Sequence, residues 1–238
     1  MRFLVTRPQP ECRRAADQIR AAGHIADEAP LLVFRAEAPA ELDLKSVSAL
    51  VFTSGRALEA LAGHRQLDQL LDLPVFTVGD RTAAACRQAG FKSVSSANGN
   101  AAALVRLIAA NRHIIEGGKI LYPAARDRSA DFEALLDARG IECETLVVYR
   151  MEAVAALAGD VRKTVCEGGY DGILVYSRRT AETLLQLLKS GCSDLIFSRL
   201  CVYAISQQAA EPLSGYMSVE AADVPSEKAL MELVLGAC

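Results

Sequence analysis

The sequence has few of the residues and patterns that several classes of site require. It contains no Trp, and aromatic side chains make up only 5% of 238 residues, so a base-stacking platform for nucleic acid is not expected. The net charge is −3 with scattered Lys and Arg, whereas nucleic-acid-binding domains present a basic stripe. No apolar stretch approaches the ~18 to 20 residues of a membrane span, and the chain enters a predicted strand at once, without a signal peptide. We therefore expect a cytoplasmic protein that binds neither nucleic acid nor membrane.

The spacing of metal ligands is absent as well. Seven cysteines are dispersed without a CxxC pair, and only three histidines occur. An odd and scattered set does not make a disulfide framework, so we expect small, reduced, hydrophobic side chains. These cysteines are Cys12, Cys86, Cys143, Cys166, Cys192, Cys201 and Cys238.

Common catalytic fingerprints are also missing. GxGxxG does not follow the predicted strands at residues 3–6 and 48–53, and neither GxxxxGK[ST] nor GxSxG occurs. This disfavours a dinucleotide site, a phosphate-binding loop and a serine hydrolase. The histidines lie outside the predicted strand-end turns, so any acid–base role falls to Tyr, Asp, Glu or Arg. Tyr149 is the first candidate because it lies near a predicted domain boundary; the alternative is a packing role with an exposed hydroxyl.

Three segments of the chain occur twice. Residues 3–23 correspond to residues 120–140, residues 49–61 to 172–184, and residues 75–84 to 202–211. Each segment contains an apolar strand, a polar turn and a helix or the start of one. A chain that repeats several β-α units is predicted to form two similar lobes, and two lobes form a cleft that can bind a small molecule.

The predicted strands and helices alternate along the whole chain, which is typical of an α/β fold with parallel doubly wound sheets. Near-continuous apolar runs such as residues 48–53 suit buried parallel strands, and residues 24–33 are predicted to form one extended segment after the first helix. The predicted domain boundaries lie around residues 35–39 and 149–154. The pattern allows two topologies: two lobes in tandem, or a swap in which the first β-α-β unit joins the C-terminal lobe.

Small hydroxyl residues, glycines and arginines recur where the predicted strands end. Ligands of open α/β sheets bind at this edge, so these groups suit carboxylate or phosphate recognition. The alternative is that each Ser or Thr only caps the following helix. The groups are Thr6 and Arg7; Thr53, Ser54, Gly55 and Arg56; Gly79 to Thr82; Arg126 to Ser129; Ser177, Arg178 and Arg179; and Ser206, Gln207 and Gln208.

Five segments, in order and over essentially the whole chain, together resemble the uroporphyrinogen-III synthase family. They are VTRP at residues 5–8, FTSGRALEAL at 52–61, TVGDRTAAACRQAGF at 77–91, GIECETLVVYR at 140–150 and VYSRRTAETLL at 175–185. The resemblance implies two flavodoxin-like lobes in the swapped topology, joined by a two-strand hinge. The first lobe would contain residues 1–34 and 154–238, the second residues 39–147, and the hinge residues 35–38 and 148–153.

The resemblance also implies a reaction. The linear tetrapyrrole hydroxymethylbilane is closed to uroporphyrinogen III, with inversion of the terminal ring D and loss of water, and without a cofactor or metal. It allows a transient contact with hydroxymethylbilane synthase, and we expect a monomer. The competing interpretation is a two-lobe protein that binds or senses a small anion without catalysis.

Carried over by position, the resemblance gives Tyr149 a role in the departure of the hydroxyl group. Two departures from the family pattern stand out: residues 206–210 read SQQAA where a threonine is expected, and residues 123–131 read PAARDRSAD where a glycine-rich turn is usual. Arg126 or Arg128 would replace the basic residue of that turn. The residues expected to bind substrate are Arg7, Thr53, Ser54, Gly55, Arg56, Thr82, Arg126, Ser177, Ser206 and Gln207.

Overall fold

The computed structural model describes residues 1–128 and 131–236 and contains two β-sheets, built mainly of parallel strands and flanked by helices. The strands are β1 (Arg2–Val5), β2 (Ile25–Glu28), β3 (Leu32–Ala36), β4 (Val47–Phe52), β5 (Val75–Thr77), β6 (Val94–Ser96), β7 (Lys119–Ala125), β8 (Cys143–Ala153), β9 (Gly172–Val175), β10 (Cys201–Ala204) and β11 (Ser218–Ala221). The helices are α1 (Glu11–Ala21), α2 (Gly55–Leu61), α3 (Leu67–Leu70), α4 (Asp80–Gln88), α5 (Ala101–Ala110), α6 (Phe132–Asp137), α7 (Gly159–Cys166), α8 (Arg178–Gly191), α9 (Gln207–Ala210) and α10 (Glu227–Gly236).

The chain divides into two compact units. The first unit contains Met1–Val33 and Glu152–Cys238, and the second contains Phe34–Met151. The chain passes from one unit to the other within β3 and again within β8, which are neighbouring strands of one sheet. A hinge function for these two strands stays a prediction.

The sheet of the first unit has the strand order β2-β1-β9-β10-β11, and the pairs are parallel. Counted along the unit this is 2-1-3-4-5, the flavodoxin-like order. Successive side chains along each strand point to opposite faces of the sheet, so neighbouring residues of one strand belong to two different hydrophobic cores. Leu4 and Ile173 belong to one core, whereas Phe3 and Leu174 belong to the other.

The second sheet repeats this arrangement with a different chain order. Its strands run β8-β7-β4-β5-β6, with β3 added next to β8. The strands matched by the sequence repeats therefore hold the same places: β7 corresponds to β1, β4 to β9, and β5 to β10. The prediction of parallel doubly wound sheets is confirmed.

Local sequence explains where the helices begin and end. Ser54, Asn100 and Ser177 accept hydrogen bonds from backbone N–H groups in the first turns of α2, α5 and α8. Beyond the ends of α1 and α6, Gly23 and Gly140 have φ values of 88° and 64°, a conformation that glycine adopts without steric cost. The predicted helix ends at these two glycines are confirmed.

Two expectations were wrong. Residues 24–33, predicted as one extended segment, form two strands of different sheets, β2 and β3, separated by residues 29–31. Pro30 lies in this break and lacks the N–H group that a continuing strand would need. The expectation of reduced cysteines fails for Cys166 and Cys192, which form a disulfide between the C-terminal ends of α7 and α8. Cys12, Cys86, Cys143 and Cys201 are free thiols, and Cys238 lies outside the described residues.

Candidate active site

A cavity of about 300 Å³ opens at the carboxyl end of the second sheet, and all of its lining residues belong to the second unit. Strands β4 and β7 are neighbours there, and they form the switch point of the 2-1-3-4-5 order, where ligands of such sheets bind. The lining residues are Thr53, Val78, Ala101, Tyr122, Ala125, Asp127, Arg128, Phe132 and Tyr149.

Tyr149, the predicted catalytic residue, reaches this cavity because of an irregularity in β8. Ala124 of β7 pairs with Val147, but Ala125 pairs with Tyr149, so Val148 is an extra residue in the ladder. Such a bulge changes the direction of the side chains that follow it, and bulges occur often beside active sites. Val148 and Tyr149 are consequently both buried, at 0% and 7% exposure.

The Tyr149 ring packs against the Phe34 ring, and the two ring centroids lie 5.5 Å apart. Among the residues that the structure describes, none forms a hydrogen bond with the Tyr149 hydroxyl. The ring of Tyr149 is therefore fixed by packing, and its hydroxyl is a donor in the cavity that no described residue engages.

Tyr122 is a cavity residue that the sequence analysis missed. Its hydroxyl and the Thr53 hydroxyl lie 2.9 Å apart and share a hydrogen bond across β7 and β4. Its ring packs on Phe132 at 5.2 Å, and burial raises the pKa of Tyr122. A signal was present: in the repeat, Tyr122 stands where the other copy has the apolar Val5, so a hydroxyl had been added at a strand end.

The predicted serines act as helix caps, which is the alternative that the sequence left open. Ser54 accepts from the Arg56 N–H, and Ser177 and Ser206 cap α8 and α9 in the same way. Thr6 is also engaged within the protein, because its hydroxyl donates to the Leu174 carbonyl oxygen. These four hydroxyls thus fix the strand-end turns.

The arginines at the strand ends bind carboxylates within the protein. In the second unit, Arg126 and Arg150 each lie 2.9 Å from a carboxylate oxygen of Glu37. The hydrogen bond from Arg126 is the main reason why the pKa of Glu37 is lowered. In the first unit, Arg7 pairs with Glu227 and also lies 4.2 Å over the Tyr176 ring. The same guanidinium geometry can bind the carboxylates of a ligand.

The other predicted binding residues are spread over both units. In the second unit, Gly55 and Arg56 begin α2, and Thr82 lies on the buried side of α4 with 8% exposure. In the first unit, Gln207 is exposed at the start of α9. Thr53 and Tyr149 are the predicted residues that the cavity brings together, and Ser129 lies outside the described residues.

Within residues 1–128 and 131–236, no three His, Cys, Asp or Glu side chains are grouped so that they could hold a metal ion. No helix in the described part of the chain is both long and apolar enough to span a bilayer.

Comparison with known proteins identifies the family. The family model described as uroporphyrinogen-III synthase HemD matches residues 13–232. Two solved structures share the fold. The uroporphyrinogen-III synthetase of Helicobacter pylori has 20% identity and a TM-score of 0.69, with 100% of this chain and 99% of that chain covered. A mutant uroporphyrinogen III synthase of the extremely thermophilic bacterium Thermus thermophilus has 14% identity and a TM-score of 0.53, with 99% and 96% covered.

A search of curated proteins found no match. The family match extends over both units and nearly the full length of the chain, and it favours a tetrapyrrole-synthesising lyase over a binding or sensor protein. The chain belongs to the uroporphyrinogen-III synthase family.

Proposed function

We propose that the protein closes hydroxymethylbilane to uroporphyrinogen III, inverting ring D and releasing water, without a cofactor. The observation that carries this proposal is the family match over residues 13–232, and the placement of Tyr149 in a cavity at the sheet's switch point supports it. Such an enzyme would act in the cytoplasm as a monomer and would receive its substrate from hydroxymethylbilane synthase.

The chemistry needs little from the protein beyond orientation. Loss of the hydroxyl leaves an azafulvene, because a pyrrole nitrogen supplies the electron pair. The substituted carbon of ring D attacks the methylene carbon of this electrophile, and the resulting spiro intermediate fragments and closes again with the ring inverted. The protein must fold the bilane, assist departure of the hydroxyl, and prevent the direct closure that gives the type I isomer.

The described residues suit these tasks. The Tyr149 phenol forms no hydrogen bond with the described residues and can donate one to the departing hydroxyl. The substrate carries eight carboxylates, and the arginines at the strand ends already bind carboxylates in the protein. Arg126 would exchange Glu37 for an acetate or propionate of the substrate.

We also propose that β3 and β8 act as the hinge between the units, as residues 35–38 and 148–153 were expected to do. A chain that passes twice between two units at neighbouring strands can change their orientation by small φ/ψ changes at a few positions.

The test is to supply the purified protein with freshly generated hydroxymethylbilane, then oxidise the products and separate the uroporphyrin isomers. Spontaneous closure gives type I, so a predominance of type III establishes the activity. Type I alone, from protein shown by circular dichroism to be folded, would refute the proposal and favour a binding function.

A further inference from the structure

The cavity at the end of the second sheet contains a second phenol besides Tyr149. Tyr122 is held at two points, because its ring packs on Phe132 and its hydroxyl bonds to Thr53. With only 6% of its surface exposed, the side chain has little freedom, and its polar end lies at the cavity wall. A fixed hydroxyl of this kind can orient a ligand without losing side-chain entropy on binding.

We propose that Tyr122 contacts the substrate, that Thr53 is its positioning residue, and that this cavity receives one pyrrole ring of the bilane. The inference rests on the proposed function and deepens it, because it assigns a single-ring subsite within the second unit. Tyr149 then acts on the leaving hydroxyl of the ring that Tyr122 holds.

The size of the cavity supports one ring. A volume of about 300 Å³ lies at the lower end of the roughly 300–1,000 Å³ of small-molecule pockets. It suits a single pyrrole with its two acid arms, and a chain of four such rings would need several times this space.

The lining matches such a ring. Val78, Ala101 and Ala125 provide apolar surface for the face of the pyrrole. Arg128 also lines the cavity and donates to the Ala125 carbonyl oxygen. Its guanidinium lies 3.9 Å from the Glu133 carboxylate, and it can exchange this carboxylate for a carboxylate arm of the substrate.

The hydroxyl pair provides a donor. Thr53 and Tyr122 have two hydroxyl protons between them, and one proton forms the hydrogen bond that joins them. The other is available to a ligand. When Thr53 donates to Tyr122, the free proton is that of the phenol. Burial raises the pKa of Tyr122 above its ordinary value, so this phenol is a neutral donor at neutral pH.

The experiment compares Tyr122→Phe, Thr53→Val and Thr53→Ser with the wild type. Tyr170→Phe is the matched control, because it also removes a hydrogen-bonded phenol hydroxyl, the one that donates to Asp27 at 2.8 Å, but in the first unit and outside the cavity. Two readouts are used: KM and kcat for formation of the type III isomer, and competitive inhibition by the monopyrrole porphobilinogen. Thermal unfolding checks that each variant is folded.

Tyr122→Phe should raise KM by roughly 3- to 10-fold, as expected for loss of one hydrogen bond between neutral groups, and weaken porphobilinogen inhibition by a similar factor. Its kcat should stay close to the wild-type value. Thr53→Val should act in the same direction, Thr53→Ser should restore binding, and Tyr170→Phe should leave both readouts unchanged.

The inference is wrong if Tyr122→Phe changes neither readout, if Thr53→Ser fails to restore what Thr53→Val loses, or if Tyr170→Phe is equally impaired. If Tyr122→Phe does not fold, the comparison of Thr53→Val with Thr53→Ser decides the question. A wild-type protein that forms only type I would overturn the proposed function and this subsite together. An active wild type together with an unimpaired Tyr122→Phe variant would overturn the subsite alone, so the two failures can be distinguished.

Discussion

Replacing Tyr149 by Phe removes one hydroxyl group and leaves the ring in place. The ring keeps its contact with Phe34, whose centroid lies 5.5 Å away, and the described residues form no hydrogen bond with the lost hydroxyl. The free energy of unfolding should therefore change by no more than about 0.5 kcal/mol. Any loss of activity in this variant is then chemical and not due to unfolding.

The size of that loss distinguishes two roles for the hydroxyl. A neutral hydrogen bond to the departing group contributes about 0.5–1.5 kcal/mol, which corresponds to roughly a 2- to 13-fold change in rate. A general acid that transfers its proton in the transition state contributes about 10²–10⁴-fold. The electron pair that expels the hydroxyl comes from the pyrrole nitrogen, so we expect the smaller, several-fold decrease, and we expect it in kcat.

Single-turnover formation of type III from hydroxymethylbilane measures this decrease, and the type III to type I ratio shows whether spontaneous closure has begun to compete. A rate equal to that of the wild type would remove Tyr149 from the mechanism. A decrease of more than about 100-fold would make it the principal acid, a stronger role than the hydrogen-bond argument allows.

Three further predictions concern stability. Replacing Cys166 and Cys192 together by Ser should lower the free energy of unfolding by about 3 to 4 kcal/mol in urea titrations, because their disulfide links residues 26 apart. In Glu37→Gln, the free energy of unfolding should depend less on pH in the acidic range than it does in the wild type. The Arg126 contact lowers the pKa of Glu37, so the stabilisation from this carboxylate is present above the ordinary Glu pKa and is lost as the pH falls through the lowered value. Gly118→Ala should destabilise by about 2 to 3 kcal/mol in thermal melts, since a Cβ there would overlap a serine hydroxyl oxygen and lie 2.6 Å from a carbonyl oxygen.

Matched variants separate these effects from general damage. Cys143→Ser alters a free thiol and should not reproduce the disulfide loss. Gly159→Ala should be neutral or stabilising, because a Cβ at the first residue of α7 meets nothing within 4 Å. Parallel pH curves for the wild type and Glu37→Gln, or equal losses from the two glycine variants, would contradict the reasoning.

Much of the fold followed from the sequence because the same patterns occur twice. Apolar runs such as residues 49–52 have 0% exposure in the structure, as buried parallel strands require. The repeats then place β4 and β9 at equivalent positions in two sheets. These patterns are local, so one sequence can show them. The tandem and swapped topologies stayed open because strand order depends on contacts between distant residues.

The features that the sequence did not predict also depend on distant residues. The Cys166–Cys192 bridge forms because α7 and α8 end side by side, which the spacing of single cysteines does not reveal. In the repeat, Tyr122 differs from Val5 of the other copy by a hydroxyl, but a role for this hydroxyl is evident only once the position of Thr53 is known. The bulge at Val148, which directs Tyr149, changes the pairing of two strands without an obvious mark such as glycine.

The order in which the strands occur along the chain has a consequence for synthesis on the ribosome. The second unit is continuous, so all of its strands are available once residue 151 has emerged. Strand β1 must wait for β9, since the Thr6 side chain bonds to a carbonyl group 168 residues later. At about 5–20 residues per second this delay is roughly 8 to 34 s. For that time, the apolar side chains of the first β-α-β unit lack the later strands and helices that share their cores. The first 33 residues are therefore the part of the nascent chain that a chaperone would be expected to bind.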